Sequence, residues 1–265
     1  MEDYIKGNKE AWEEAFELRS EDYGSDLVEK IRREDYAFFY DEMKQVLERY
    51  DFKDKTIGQF CCNNGRELMS LVKSAKAKEG YGFDIAENMV QFANEKAREL
   101  GINCKYIATS ILDIDDTYND KFDAIIITIG AMCWFKDLKD FFAIVGKCLK
   151  AGGKIIIHDS HPFTNMLAAP GDEEHDEKNP FNCVYSYFDH EWIGNSGMGY
   201  MVGKSYESKT FTDYTHPLSE VIGAMSNIGI VITNMHELTY DISANFEHLD
   251  NQNFPLNYIL EGRKE

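Results

Sequence analysis

An acid at the end of a short apolar run, Gly82-Phe83-Asp84-Ile85, stands 19 residues after a turn of small residues, Gln59-Phe60-Cys61-Cys62-Asn63-Asn64-Gly65. A turn that brings backbone against a ligand needs small residues in unusual conformations, Gly first and Asn next. Cys61, Asn63 and Gly65 take the alternating positions of such a turn, making it a weakened glycine loop. Taken alone it also reads as an ordinary strand-to-helix turn. An ionised carboxylate has several lone-pair sites, so at a strand tip it can accept hydrogen bonds from both hydroxyls of a ribose. Asp84 is the residue placed to do so. The alternative is an acid ahead of a helix, where the helix dipole favours it. After a third apolar run, Ser110-Ile111-Leu112-Asp113 offers a polar side chain and a backbone amide for an adenine edge, with Asp113 as the other polar option. The chemistry suggested is nucleoside-cofactor binding.

These residues need a scaffold that puts them on one edge. From residue 57 to 158, strand-like and helix-like segments alternate. Ile57 to Cys61, Gly80 to Asp84, Cys104 to Ala108, Phe122 to Ile129 and Lys154 to His158 read as strands. Gly65 to Lys78, Ala86 to Leu100 and Asp137 to Lys150 read as helices. Ala86 to Leu100 carries Met89, Phe92, Ala93, Ala97 and Leu100 at helical spacing. Ala151-Gly152-Gly153 is expected to end the third helix, Gly supplying the left-handed terminus. Such repeated units predict a parallel sheet with right-handed crossovers. Ligands of open α/β sheets sit outside the carboxyl ends of the strands, where the turn after the first strand and the tip of the second meet. Pro217 is expected at the first position of a later helix. Gly229 to Leu238 and Leu256 to Gly262 are strands with no clear helix between them, which predicts antiparallel pairing at the end of the sheet.

Residues 1–50 read as mostly helical and residues 160–215 as irregular, aromatic and Gly-rich. The division expected is a helical cap over 1–50 and a cofactor-binding domain over 51–265 with a 160–215 insertion. A loop that long is commonly a lid or binding loop.

The succession Gln59 to Gly65, Gly82 to Ile85, Ser110 to Ile114, Phe122 to Ile129 and Leu149 to Gly153 resembles the motifs of class I S-adenosylmethionine-dependent methyltransferases. In particular it is similar to a bacterial and archaeal small-molecule-type branch with a Gln-Cys loop. Cys133-Trp134 after the fourth strand and His161-Pro162-Phe163 after the fifth fit that branch. The resemblance covers most of residues 50–262. It implies a Rossmann-like α/β fold: a seven-stranded, mostly parallel sheet with an antiparallel last strand and helices on both faces. It implies S-adenosyl-L-methionine as cofactor, S-adenosyl-L-homocysteine as product, and O- or N-methylation of a small-molecule acceptor. It implies that Asp84 holds the ribose, that Ser110 and Ile111 flank adenine, and that Thr128-Ile129-Gly130 faces the methionine part. Gln59, Cys61, Asn63, Gly65, Ile85 and Met89 complete the expected cofactor contacts. Gln59 stands where the family commonly has an acid, and Cys61 and Asn63 where Gly is commonest.

Methyl transfer from a sulfonium is an in-line displacement needing alignment and exclusion of water. A general base helps only where the acceptor holds a proton. His161, beside the fifth strand, is the best-placed titratable candidate and His216 the second. Tyr23, Trp134, Tyr185 and Tyr187 are candidates for an acceptor pocket. Each of these residues also reads as ordinary core or hydrogen-bonded structure. His158, Asp159 and His161 are metal-ligand types, but neighbours on a strand point apart, so no metal site is expected. A nicotinamide-dependent oxidoreductase shares the Asp at the second strand, yet the loop lacks G-x-G-x-x-G. A catalytically silent S-adenosylmethionine-binding regulator is the non-enzyme alternative.

With 47 acidic against 28 basic residues the formal charge is −19, which disfavours a polyanionic substrate; nucleic acid is not expected as a partner. The start has no signal-peptide pattern and no apolar run is long enough to span a bilayer. Six scattered cysteines without a CxxC pair suit a reducing compartment, so a soluble cytoplasmic protein is expected, with a homodimer left open.

Overall fold

A computed structural model describes residues 2–188 and 191–265. The chain opens with three helices, α1 (Asp3–Glu17), α2 (Leu27–Arg33) and α3 (Asp41–Glu48). An alternating series follows: β1 (Thr56–Phe60), α4 (Arg66–Ser74), β2 (Glu79–Asp84), α5 (Glu87–Leu100), β3 (Cys104–Ala108), β4 (Phe122–Ile127), α6 (Leu138–Cys148) and β5 (Leu149–Ser160). The remainder is β6 (Glu191–Gly194), α7 (Gly199–Val202), β7 (Phe211–Tyr214), α8 (Leu218–Asn227), β8 (Ile230–Leu238) and β9 (Asn257–Lys264).

Seven strands form one sheet in the order β3-β2-β1-β4-β5-β9-β8. The first five are parallel to their neighbours, while β9 runs antiparallel to both β5 and β8. The order reverses between β1 and β4, the switch point of a doubly wound sheet. Successive residues of β4 serve opposite faces, as a strand buried on both sides must. Ile125 and Ile127 join Phe60, Phe83, Phe141 and Phe142 in one core layer. Ala124 and Ile126 join Ile57, Leu68, Val72 and Ala93 in the other. The fold expected from sequence is the fold observed.

Three local expectations are corrected. Helix α6 ends at Cys148, before the glycines, and β5 starts at Leu149. Gly152, at φ +75°, lies where the β4–β5 register jumps from Phe122↔Leu149 to Ala124↔Lys154. The glycines therefore let the strand loop out rather than cap a helix. Pro217 is extended at ψ 147° and precedes α8 instead of occupying its first turn. Residues 160–215 carry more order than expected: a 3-10 turn at Pro162–Met166, the short helix α7 and the antiparallel pair β6–β7. Four-residue strands joined by a 16-residue connection leave no usable periodicity in the sequence.

Candidate functional site

The carboxyl ends of β1, β2, β3 and β4 open on a cavity of about 910 Å³. Strand β1 is buried along its whole length and delivers the chain into the turn at Cys61. Cys61, Asn63 and Gly65 all have positive φ, at 56°, 50° and 77°. The alternating left-handed turn read from the sequence is thus present, with two non-Gly residues held in it at a cost of about 1 kcal/mol each. The Asp84 carboxylate holds this turn in place: Oδ2 accepts from the Asn63 amide at 2.7 Å, and Oδ1 from the Ala86 amide at 3.1 Å. Burial raises the Asp84 pKa, and the backbone amides of Ala86, Asn63 and Ile85 oppose that rise. The carboxylate is both the clasp of the loop and an acceptor with lone pairs to spare for a ligand.

Nine of the eleven cofactor residues named from sequence line this cavity: Cys61, Asn63, Asp84, Ile85, Met89, Ser110, Ile111, Thr128 and Ile129. Gln59 and Gly65 do not. Gln59 is fully buried beneath the floor, its Nε2 donating to Thr128 Oγ1 at 2.9 Å and Glu67 Oε2 at 3.3 Å. Gly65 packs against Tyr106, where a Cβ would lie 2.5 Å from the ring, and the Tyr106 hydroxyl donates to the Gly65 carbonyl at 2.7 Å. Glycine is required there by a neighbouring tyrosine and a left-handed φ, not by the approach of a ligand. Glu67, the carboxylate that accepts from Gln59, lines the cavity from the first turn of α4. Arg66, also on the wall, donates to Glu67 Oε1 at 3.1 Å. Sequence reasoning missed this pair; its one signal was an acid two residues past the turn, a position that helix-dipole preference explains equally well.

Of the acceptor candidates, Tyr23 and Trp134 reach the cavity. The Tyr23 hydroxyl donates to Asn63 Oδ1 at 3.2 Å, and burial pushes its pKa up to about 12. Trp134 meets Trp12 of α1 edge-on at 5.4 Å, and Trp12 meets Phe211 of β7 at 5.6 Å. These rings join the N-terminal helix, the turn after β4 and the insertion into one wall. Asn8 of α1 reinforces it by exchanging two 2.7 Å hydrogen bonds with the Thr212 backbone.

His161 does not reach the cavity. Its Nδ1 accepts from the Phe163 amide at 3.2 Å and caps the 3-10 turn, while Nε2 lies 3.2 Å from Glu237. Burial pulls its pKa down, with Glu237 opposing. A histidine with both ring nitrogens engaged in structure is poorly placed as a base. Tyr187 is also elsewhere: its hydroxyl accepts from the Leu218 amide at 3.0 Å. His216 and Tyr185 line a second cavity of about 470 Å³, which shares Gly130, Cys133, Ser160 and Ser243 with the first. The His216 Nε2 is 2.8 Å from the Phe135 carbonyl and its Nδ1 3.0 Å from Glu220. His158 and Asp159 point apart as strand alternation requires, His158 to Asn257 at 3.0 Å and Asp159 to the Gly130 amide at 2.7 Å.

A family model described as a methyltransferase domain matches residues 53–212, more than half of the chain. The chain belongs to the methyltransferase-domain family. Within this methyltransferase domain the match begins just before β1 and ends in β7, so it takes in the turn, the Asp84 tip and most of the insertion. A Schizosaccharomyces pombe protein described as an uncharacterized methyltransferase is 26% identical over 126 residues, 45% of this chain and 43% of that protein. The match thus spans less than half the length of that curated relative. Among solved structures, an S-adenosylmethionine-dependent methyltransferase from Clostridium acetobutylicum superposes with a TM-score of 0.60 at 14% identity, covering 91% of this chain and 96% of the other. A geranyl diphosphate C-methyltransferase from Streptomyces coelicolor, solved with Mg2+, geranyl diphosphate and S-adenosyl-L-homocysteine, gives 0.62 at 13% identity over 100% and 99%. At such identities the likeness is one of fold. Nothing in these comparisons supports the nicotinamide-dependent reading. Among the described residues, no helix is long and apolar enough to cross a membrane.

Proposed function

We propose that this methyltransferase domain transfers a methyl group from S-adenosylmethionine to a small-molecule acceptor in the cytosol. The observation that carries the reading is the convergence of nine independently named residues on one cavity at the switch point of the sheet. The donor set suits the ligand. Asp84 would take the ribose hydroxyls, with Ile85 and Met89 beside them, and Ser110 and Ile111 would border adenine. Glu67 and Thr128 would surround the methionine amino group, Glu67 supplying the charge that Gln59 lacks. The bound sulfonium supplies a methyl group that is already activated. The protein's share is to fix its direction and to keep water out. Trp12, Tyr23 and Trp134 do the second task by closing the wall over the cavity. Six cysteines without a disulfide agree with a reducing compartment.

Calorimetric titration of the purified protein with S-adenosylmethionine and with S-adenosylhomocysteine tests the reading. Saturable heat with one site per chain is expected for both. No heat and no thermal shift with either compound would overturn it.

A further inference from the structure

The second cavity shares Gly130, Cys133, Ser160 and Ser243 with the first, next to the expected methionine end of the cofactor. Its walls combine three carboxylates, the buried Asp159, Asp213 of β7 and the exposed Asp172, with the aromatic side chains Tyr185, Trp192, Phe246 and Tyr258. Asp159 is buried at the tip of β5, and its Oδ1 accepts from the Gly130 amide at 2.7 Å and the Ser160 amide at 2.9 Å. Asp213 comes from β7, which pairs with β6 and not with the seven-stranded sheet. Among the described residues no Lys, Arg or His forms an ion pair with Asp159 or Asp213. His216, the histidine of this wall, is committed to Phe135 and Glu220. Carboxylates in an aromatic enclosure, with no cation paired to them among the described residues, form a site whose missing partner is positive, since buried charges require pairing and aromatic faces attract cations.

We propose that this cavity is the acceptor site and that it takes a compound with a basic nitrogen, an alkyl or arylalkyl amine held as its ammonium between Asp159 and Asp213. The inference rests on the methyl-transfer reading above. Burial pushes both carboxylates up to about 6, which makes each a better proton acceptor than an ordinary Asp. The ammonium gives one proton to a carboxylate, and the freed nitrogen lone pair forms the N–C bond. The C–S bond breaks with its electron pair kept by sulfur, leaving a methylated ammonium and a neutral thioether. The proton on the carboxylate then passes to water. An alcohol would bring no charge to pair with these carboxylates, and an anionic acceptor would be repelled.

The test uses the full chain saturated with S-adenosylhomocysteine. Phenethylamine, tyramine and cyclohexylamine are titrated by calorimetry beside their alcohols 2-phenylethanol, tyrosol and cyclohexanol. At least one amine is expected to bind about tenfold or more tightly than its alcohol, the scale of a charge-assisted hydrogen bond. In Asp213→Asn that preference should fall to about twofold, while S-adenosylhomocysteine affinity, which Asp213 does not touch, stays unchanged and reports a folded protein. With S-adenosylmethionine in place of the product, mass spectrometry should show the preferred amine gaining one methyl group. Alcohols binding as well as amines, or an amine preference untouched by Asp213→Asn, would overturn the amine assignment alone. Absence of any heat with S-adenosylhomocysteine would overturn the methyl-transfer reading and this inference together.

Discussion

At the residue scale, Asp84 has two tasks. It clasps the Asn63 amide and, in the proposed complex, accepts from ribose. Asp84→Ala is expected to weaken S-adenosylmethionine binding by about 1.5–3 kcal/mol, the range for lost hydrogen bonds to a charged group, with an unchanged dissociation constant as the contrary result. Gly65→Ala tests the other half of the turn. A methyl group at φ +77° and 2.5 Å from the Tyr106 ring should lower stability by about 2–4 kcal/mol in urea denaturation. Asp213 makes a prediction in pH. Its pKa rises on folding from 3.8 to about 6 through burial. The folded state therefore holds the proton more tightly, so this group's contribution is full below the unfolded pKa and is lost as pH rises through about 6. Asp213→Asn should be more stable than the parent by about 2 kcal/mol near pH 8, after allowance for partial hydration, and no more stable near pH 4. Unfolding curves at the two pH values decide it; a difference independent of pH would rule out burial as the cause.

At the element scale, the wall over the cavity is built from parts far apart in sequence. Helix α1 reaches β7 through Asn8 and Trp12, and reaches the start of α5 through Asn88, whose Nδ2 donates to the Glu13 carbonyl at 2.8 Å. We propose that α1 and the 160–215 insertion act together as a cover. Removal of residues 1–19 is then expected to weaken cofactor binding or slow turnover; identical kinetics in the shortened protein would refute the idea. The helices and strands of the sheet were legible because burial on two faces writes near-continuous apolar strands and striped helices. The β6–β7 pair was not, because a partly wet four-residue strand has no such pattern. The glycines after α6 misled for a related reason: left-handed φ is needed equally at a helix end and where a strand loops out, and only the neighbouring strand distinguishes them.

Taken as a whole molecule, the chain is tied across its length by Glu261. This buried carboxylate of β9 accepts from Arg49 at 2.6 Å and from Asn234 at 3.2 Å, lies 3.4 Å from His236, and receives the Tyr50 hydroxyl. It anchors the N-terminal helices to the antiparallel edge of the sheet. Glu261→Ala should lower stability by about 2–4 kcal/mol in denaturant unfolding, because it leaves several polar partners unmatched; a loss under about 0.5 kcal/mol would assign the tie no weight. The sequence by itself determined the mostly parallel sheet with its antiparallel end, and it named nine residues that line one cavity at the carboxyl edge. Those features rest on periodicity and on turns whose residues are adjacent in the chain. Only the tertiary structure decided that Glu67 lines the cavity against the buried Gln59, that both ring nitrogens of His161 are engaged in structure, and that Asp159 and Asp213 share a cavity. Each of these is a meeting of residues from separate elements, and local preference along the chain carries no information about which distant side chain will fill the space beside it.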